Sequence, residues 1–270
     1  MKHAILILAH KEQPVGLTYF THKKITKIFG RPEHSPYIWS NLHNEKQMKD
    51  LTIWCTYHKD EQIQQFGLLE DDVMRLFKGN DTGIEGENIN HLNPFYSEIV
   101  TLYYVWKNGI QSRRVGFCHY RRRFGRIADV EPGTCQVLAI NRNCHVFGHY
   151  KGAHNYQDFY DAVDILNERY GECNKYSHYM LEGRTFIPFC SFVMMWEDFE
   201  RLCLFLFPIL EAFDRKNGLY MQPERYMQKA LRDFRYDNVM YQRRAISFLA
   251  ERLISCFLAC EMEVFCVNEM

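Results

Sequence analysis

The chain has 270 residues, 33 of them basic and 33 acidic, so its formal net charge is zero. At 47% hydrophobic and 24% charged it reads as a folded globular protein rather than a disordered one. A chain without surplus Lys and Arg is not a general nucleic-acid binder, because phosphate neutralisation needs that surplus.

No stretch approaches the roughly 20 apolar residues that span a bilayer. The apolar part of Met1-Lys2-His3-Ala4-Ile5-Leu6-Ile7-Leu8-Ala9-His10 is too short for a signal peptide and reads as a buried strand. The ten cysteines form no Cys-x-x-Cys pair, and their scatter is expected of a reduced, cytoplasmic protein.

Thr52-Ile53-Trp54-Cys55-Thr56-Tyr57 reads as a strand ending in the polar His58-Lys59-Asp60-Glu61-Gln62, an echo of Ile5 to Gln13. Between the two, Pro32 and Pro36 mark a loop or linker. Residues 1–50 are therefore expected to be an N-terminal extension or first strand-loop unit, and 51–270 the main domain. Residues 78–92 are polar and glycine-bearing and read as a loop. Asn93 as N-cap and Pro94 at the first helical position predict a helix with Phe95, Ile99, Leu102, Tyr103 and Trp106 on one face, ended by Gly109. Glu98 falls at the edge of that stripe. Val115-Gly116-Phe117-Cys118 and Gln136 to Ile140 read as strands. Asn155 caps a helix, with Asp158 as capping-box partner and Phe159, Ala162, Val163 and Leu166 inside. Ile187 to Trp196 reads as a buried strand. A helix kinked at Pro208 follows, and a last long helix carries Ile246, Leu249, Leu253 and Phe257 on one face. Strands alternating with helices give an α/β fold.

Six arginines, at positions 113, 114, 121, 122, 123 and 126, lie within fourteen residues of a chain with no net charge. Arg121 to Arg123 follow the carboxyl end of a central strand, where open α/β sheets bind ligands. The planar guanidinium fork suits a diphosphate. The other reading is a solvated basic edge paired with Asp129 and Glu131. His119 can shuttle a proton or bond a phosphate, and Tyr120 can stack on a base or sugar; both can equally be packing residues. Cys144, His145, His149 and His154 match no zinc-finger spacing. Glu98 and Glu251 are candidates for a general base, or for helix-surface charges. The loop Gly86-Glu87-Asn88-Ile89-Asn90 can present amides to a ligand but has neither Walker nor dinucleotide spacing.

Several segments, in order, resemble a bacterial domain family formerly of unknown function, found in capsular and exopolysaccharide biosynthesis proteins and regarded as glycosyltransferase-like. They are Tyr57-His58-Lys59, Gly86 to Asn90 with Asn93, and Glu98 through Trp106-Lys107-Asn108. Next come Val115-Gly116-Phe117-Cys118-His119-Tyr120-Arg121-Arg122, carrying the His-Tyr-Arg-Arg hallmark, and Tyr150, His154 and Asp158. Ile187 to Leu210 and Gln242-Arg243 through Leu253 complete the set. Tyr57 departs from the family's Thr, Glu87 from Asp, Cys190 from Asn and Arg123 from Tyr. Ile7 to Lys11 looks like the opening strand of branching-type glycosyltransferases.

The resemblance implies a single-domain, GT-A-like (Rossmann-like) mixed sheet flanked by helices. It implies a nucleotide-sugar donor and a glycan or lipid-linked glycan acceptor, in the cytoplasm or peripherally at the inner face of the membrane, with no nucleic acid. Where such enzymes carry a metal-binding Asp-x-Asp, this chain has His119-Tyr120-Arg121. The expectation is transfer without metal or other cofactor, with Arg121 and Arg122 at the diphosphate beside His119 and Tyr120. Lys59, Asn88 and Asn93 are expected to line the donor site. Glu98 is expected to orient the arginine cluster or the sugar, and His154 and Glu251 to supply acid/base or acceptor-binding groups, the three forming the catalytic set. A non-catalytic protein binding a nucleotide sugar or phosphorylated glycan, and an RNA-binding module on the Arg/Tyr patch, are the competing classes.

Overall fold

The computed structural model describes residues 48–232 and 238–267. The strand expected at Ile5 and nearly all of the 1–50 extension lie outside them. Gln47–Met270 packs as one unit.

In chain order its elements are β1 (Leu51–Tyr57), α1 (Glu61–Gln65), β2 (Met74–Lys78), a short 3-10 turn (Asn90–Leu92), α2 (Asn93–Tyr96), α3 (Ile99–Lys107), β3 (Arg114–His119), β4 (Thr134–Val137) and β5 (Asn141–Arg142). There follow α4 (Val146–Ala153), α5 (Tyr156–Tyr170), α6 (Lys175–Glu182), β6 (Thr185–Phe186), β7 (Phe192–Met195), α7 (Trp196–Lys216), α8 (Pro223–Leu231), α9 (Val239–Gln242), α10 (Ala245–Glu261) and β8 (Glu263–Cys266).

Six strands make one mixed sheet in the order β2-β1-β3-β7-β4-β8, as the α/β reading expects. β1 is parallel to β2 and β3, β7 is antiparallel to β3 and β4, and β4 is parallel to β8. β5 and β6 pair separately. β3 is buried from Val115 to His119, as a central strand covered on both faces must be. Val115 and Phe117 belong to a large core that includes Phe192, Phe199 and the apolar faces of α3, α5, α7 and α10; Cys118 faces a smaller core with Ile53, Cys55 and Leu68. Among the described residues no helix is long and apolar enough to cross a membrane.

Gly116 sits where the sheet is tightest. A Cβ there would come within 2.9 Å of Val193 Cγ2 and 3.1 Å of Ile53 Cγ1, the two residues that flank it in register. Gly116→Ala is therefore expected to destabilise the fold by about 1–3 kcal/mol. An unchanged denaturant midpoint would contradict this.

Five sequence expectations are corrected in detail. The helix expected from Asn93 to Gly109 is two helices, broken at Ser97, which has left-handed φ 53. Asn93 is not the N-cap but lies in the first helix, where its Nδ2 donates to the Ser97 carbonyl at 3.1 Å. Gly109 does end α3, with φ 57. The 136–140 strand is shifted to Thr134–Val137. Of the stretch 187–196 only Phe192–Met195 is strand, because Phe189 (φ 82) and Cys190 (φ 48) turn the backbone out of extended geometry. Asn155 caps α5 as expected, accepting from Gln157 N at 3.1 Å, whereas Asp158 pairs with Lys229 at 2.6 Å.

Candidate functional site

β1 is flanked by both of its parallel partners. The chain leaves β1 toward β2 on one side and later enters β3 on the other, so the carboxyl ends of β1 and β3 form the crevice where open α/β sheets accept ligands. His58 follows β1 and His119 ends β3, with ring centroids 5.8 Å apart. A tight turn then reverses the chain. His119 O accepts from Arg122 N at 2.8 Å, and His119 Nδ1 accepts from Arg121 N at 3.4 Å. With Nδ1 an acceptor, a neutral His119 keeps its proton on Nε2.

This turn divides the arginine cluster. At the start of β3, Arg113 pairs with Asp50 and Arg114 with Asp50 and Asp129. That part is a paired basic edge, as the other reading expects, although among the described residues Glu131 takes no part. Arg123 donates to the carbonyls of Phe66 and Gly67. Arg121 and Arg122 have no carboxylate within ion-pair distance among the described residues. Arg122 lies 4.1 Å over the Phe189 ring and Arg121 lies 5.3 Å over Tyr120.

Arg121 and Arg122 open into a cavity of about 480 Å³ that also takes His119, Glu98, His149, His154, Phe189, Tyr241, Arg244, Glu251 and Arg252 into its walls. Six of the ten residues singled out in the sequence thus meet, from five elements or their junctions: Glu98, His119, Arg121, Arg122, His154 and Glu251. Glu98 follows the Ser97 break, which aims it inward. It is half-buried, and burial pushes its carboxyl up, opposed by its own backbone N–H and by Arg244. Glu251 is a clasp. Its Oε1 accepts from Phe189 N at 2.8 Å and its Oε2 from Arg252 Nη1 at 2.6 Å. Arg252, 2% exposed, also donates to Phe248 O and meets His149 Nδ1 at 2.9 Å. The clasp holds the left-handed Phe189-Cys190 corner against α10, a conformation that needs such support.

His154 stacks on Phe248 at 3.8 Å. Burial, with Arg252 second, pushes it down to about 3. Burial likewise pushes His119 down to about 3, followed by His58 and Arg121, and pushes His58 down to about 4, followed by Arg244. The unfolded chain protonates these rings near 6.5, so below that pH it binds protons the folded protein refuses. Stability should fall as pH drops from 6.5 toward 4, with each ring contributing about 1.4 kcal/mol per pH unit. Melting temperatures that stay flat between pH 7 and pH 5 would refute this.

The other four candidates lie outside the cavity wall. Tyr120 packs edge-on against Phe66 at 4.9 Å. Lys59 is exposed, and its backbone N–H donates to Gln62 at the start of α1. Asn88 folds its own loop, donating to the carbonyls of Ile84 and Gly86. Asn93 braces the Ser97 break. Within 144–154, His145 caps α4 through Gly148 N, whereas His149, set on Arg252, shares the cavity wall with His154. Sequence reasoning missed His58, Phe189, Arg244 and Arg252 as site residues. His58 carried a signal, its place at the end of β1. Arg244 carried none, being brought to Ser97 across 147 residues.

The fold is similar to that of a solved glycosyltransferase. The apo structure of the bifunctional glycosyltransferase WbbM superposes with a TM-score of 0.60 at 19% identity, over 82% of this chain and 45% of that one. The chain thus spans less than half the length of that enzyme, and the likeness is one of fold. Residues 38–143 and 134–262 match the family described as Domain of unknown function (DUF4422), and the chain belongs to that family. No curated protein matches it.

Proposed function

We propose that the protein is a glycosyltransferase that moves a sugar from a nucleotide-sugar donor to a glycan or lipid-linked glycan acceptor, with arginines in place of a metal at the diphosphate. The observation that carries this is the pair Arg121 and Arg122. Two neighbouring guanidinium groups without acidic partners among the described residues stand at the end of β3, in a cavity at the sheet's crevice. Charge-assisted bonds from such groups stabilise a departing diphosphate without metal. This corner of two cations and a neutral imidazole does not suit a divalent cation, which a carboxylate pair would hold.

In this reading the acceptor hydroxyl gives its proton to Glu98, and its oxygen forms the bond to the sugar's anomeric carbon. The bond from that carbon to the diphosphate breaks, and the electron pair leaves with the nucleoside diphosphate onto Arg121 and Arg122. A carboxyl pushed up by burial is a better base near neutral pH than an exposed one. His119 Nε2–H donates to the diphosphate. Glu251 acts as a positioning residue through Phe189 and Arg252, and His154 lines the acceptor side. Lys59, Asn88, Asn93 and Tyr120, outside the cavity, keep the donor-side role that the family resemblance implies, Asn88 and Asn93 through the loop and helix break they hold. The family resemblance supports a product among bacterial capsular or surface polysaccharides, made in the cytoplasm or at the inner membrane face.

The experiment is a panel of nucleotide sugars screened by thermal shift and by release of nucleoside diphosphate, with and without EDTA. One donor should raise the melting temperature by mass action and turn over equally in EDTA. Activity abolished by EDTA and restored by Mn²⁺ would overturn the metal-free part. Binding without transfer or hydrolysis for every donor would favour a non-catalytic binding protein.

A further inference from the structure

Arg244, at the N-cap of α10, is the least accounted-for cation of the cavity. Its Nε donates to Ser97 Oγ at 2.9 Å, and its guanidinium lies 5.7 Å over the Phe248 ring. These contacts fix the plane of the group and leave both terminal nitrogens without a hydrogen-bond partner among the described residues. No carboxylate reaches within 4.0 Å of it among those residues, Glu98 and Glu251 on the same wall included. It is half-buried. A half-buried charge with neither counter-ion nor full hydration is costly to keep, unless a ligand completes it. Arg244 and Arg121 both depress His58 and His119 and line the same cavity, so the two cations face one corner from distant parts of the chain. The N-terminal pole of α10 adds to the positive potential there.

We infer that Arg244 is the third cation of the anion site and that its two terminal nitrogens take phosphate oxygens of the bound nucleoside diphosphate, opposite Arg121 and Arg122. This rests on the glycosyltransferase reading and adds to it a ligand contact from the carboxyl-terminal third of the chain. The Ser97 hydroxyl is the positioning group that aims the fork. Since Ser97 immediately precedes Glu98, the same hydrogen bond ties the diphosphate contact to the carboxyl expected to take the acceptor proton.

The test is titration calorimetry of the full chain with inorganic pyrophosphate, uridine diphosphate and guanosine diphosphate. The parent is compared with Arg244→Gln, Arg244→Lys, Ser97→Ala and Arg121→Ala, with melting temperatures recorded for each. Arg244→Gln should weaken the tightest probe by roughly tenfold or more, since a charge-assisted fork is lost. Arg244→Lys should lose less, and Ser97→Ala less than about threefold. Parent affinity in Arg244→Gln overturns the inference. So does a Ser97→Ala loss as large as that of Arg244→Gln, which would mean that Arg244 only braces the helix break. Should Arg244→Gln fail to fold, Arg244→Lys is read in its place, with a loss supporting the contact and parent affinity removing it. Loss in Arg121→Ala without loss in Arg244→Gln sinks this inference alone. A parent that binds none of the three probes takes the diphosphate-site reading down with it.

Discussion

An Arg121→Ala/Arg122→Ala double variant is expected to fold like the parent and to lose nucleotide-sugar affinity by roughly two to four orders of magnitude. Each charge-assisted hydrogen bond contributes about 1.5–3 kcal/mol, so two lost together reach that range. The fold should hardly notice. Both side chains are exposed, and their ring contacts with Tyr120 and Phe189 are worth roughly 0.5–1 kcal/mol each. Calorimetry on the donor found by screening, with the melting temperature measured alongside, separates the two effects. Affinity that survives within threefold would leave the enzymatic reading on family membership and fold alone. Arg113→Ala is the internal control, because its charge is already matched by Asp50 at the far end of β3.

The second large effect concerns stability. Arg252→Met removes a buried guanidinium from Glu251, Phe248 O and His149 and leaves the Glu251 carboxylate with only Phe189 N. Breaking a buried pair from one side costs about 3–5 kcal/mol. At roughly 2–4 °C per kcal/mol for a unit of this size, the melting temperature should drop by about 6–20 °C. Glu251→Gln/Arg252→Met should recover much of that drop, because the amide still accepts from Phe189 N and no charge is stranded. If the double variant is no more stable than the single one, the loss comes from packing against Phe186 and Tyr150 rather than from the orphaned carboxylate.

Much of the scaffold was legible because its signals are local. The apolar run of Val115 to Cys118 and the periodic faces of α5, α7 and α10 depend on burial, which sequence pattern reports directly. The break at Ser97 was hidden, since Phe95, Ile99 and Leu102 keep helical spacing straight through it. The corner at Phe189 and Cys190 was hidden for a similar reason: its residues are as apolar as the strand that follows, and neither is a glycine. For the site, Glu98, His119, Arg121, Arg122, His154 and Glu251 are groups picked from the sequence that the fold gathers around one cavity, with Tyr120 turned away onto Phe66. Which arginines remained available was not legible. Arg113 and Arg121 look alike in sequence, and only the strand between them decides that one meets Asp50 while the other meets the crevice. Arg244 was invisible because its meaning depends on a hydroxyl in a remote helix break.

That asymmetry along β3 has a kinetic consequence. Thirty-three positive and 33 negative side chains cancel at a distance, and beyond a Debye length of about 10 Å an approaching dianion feels little pull. Attraction begins only at the mouth of the crevice, where uncompensated guanidinium groups stand in a recess of lower dielectric. Donor capture should therefore proceed at an ordinary diffusive encounter rate, without long-range steering, and discrimination for the anion should be expressed in how slowly it escapes.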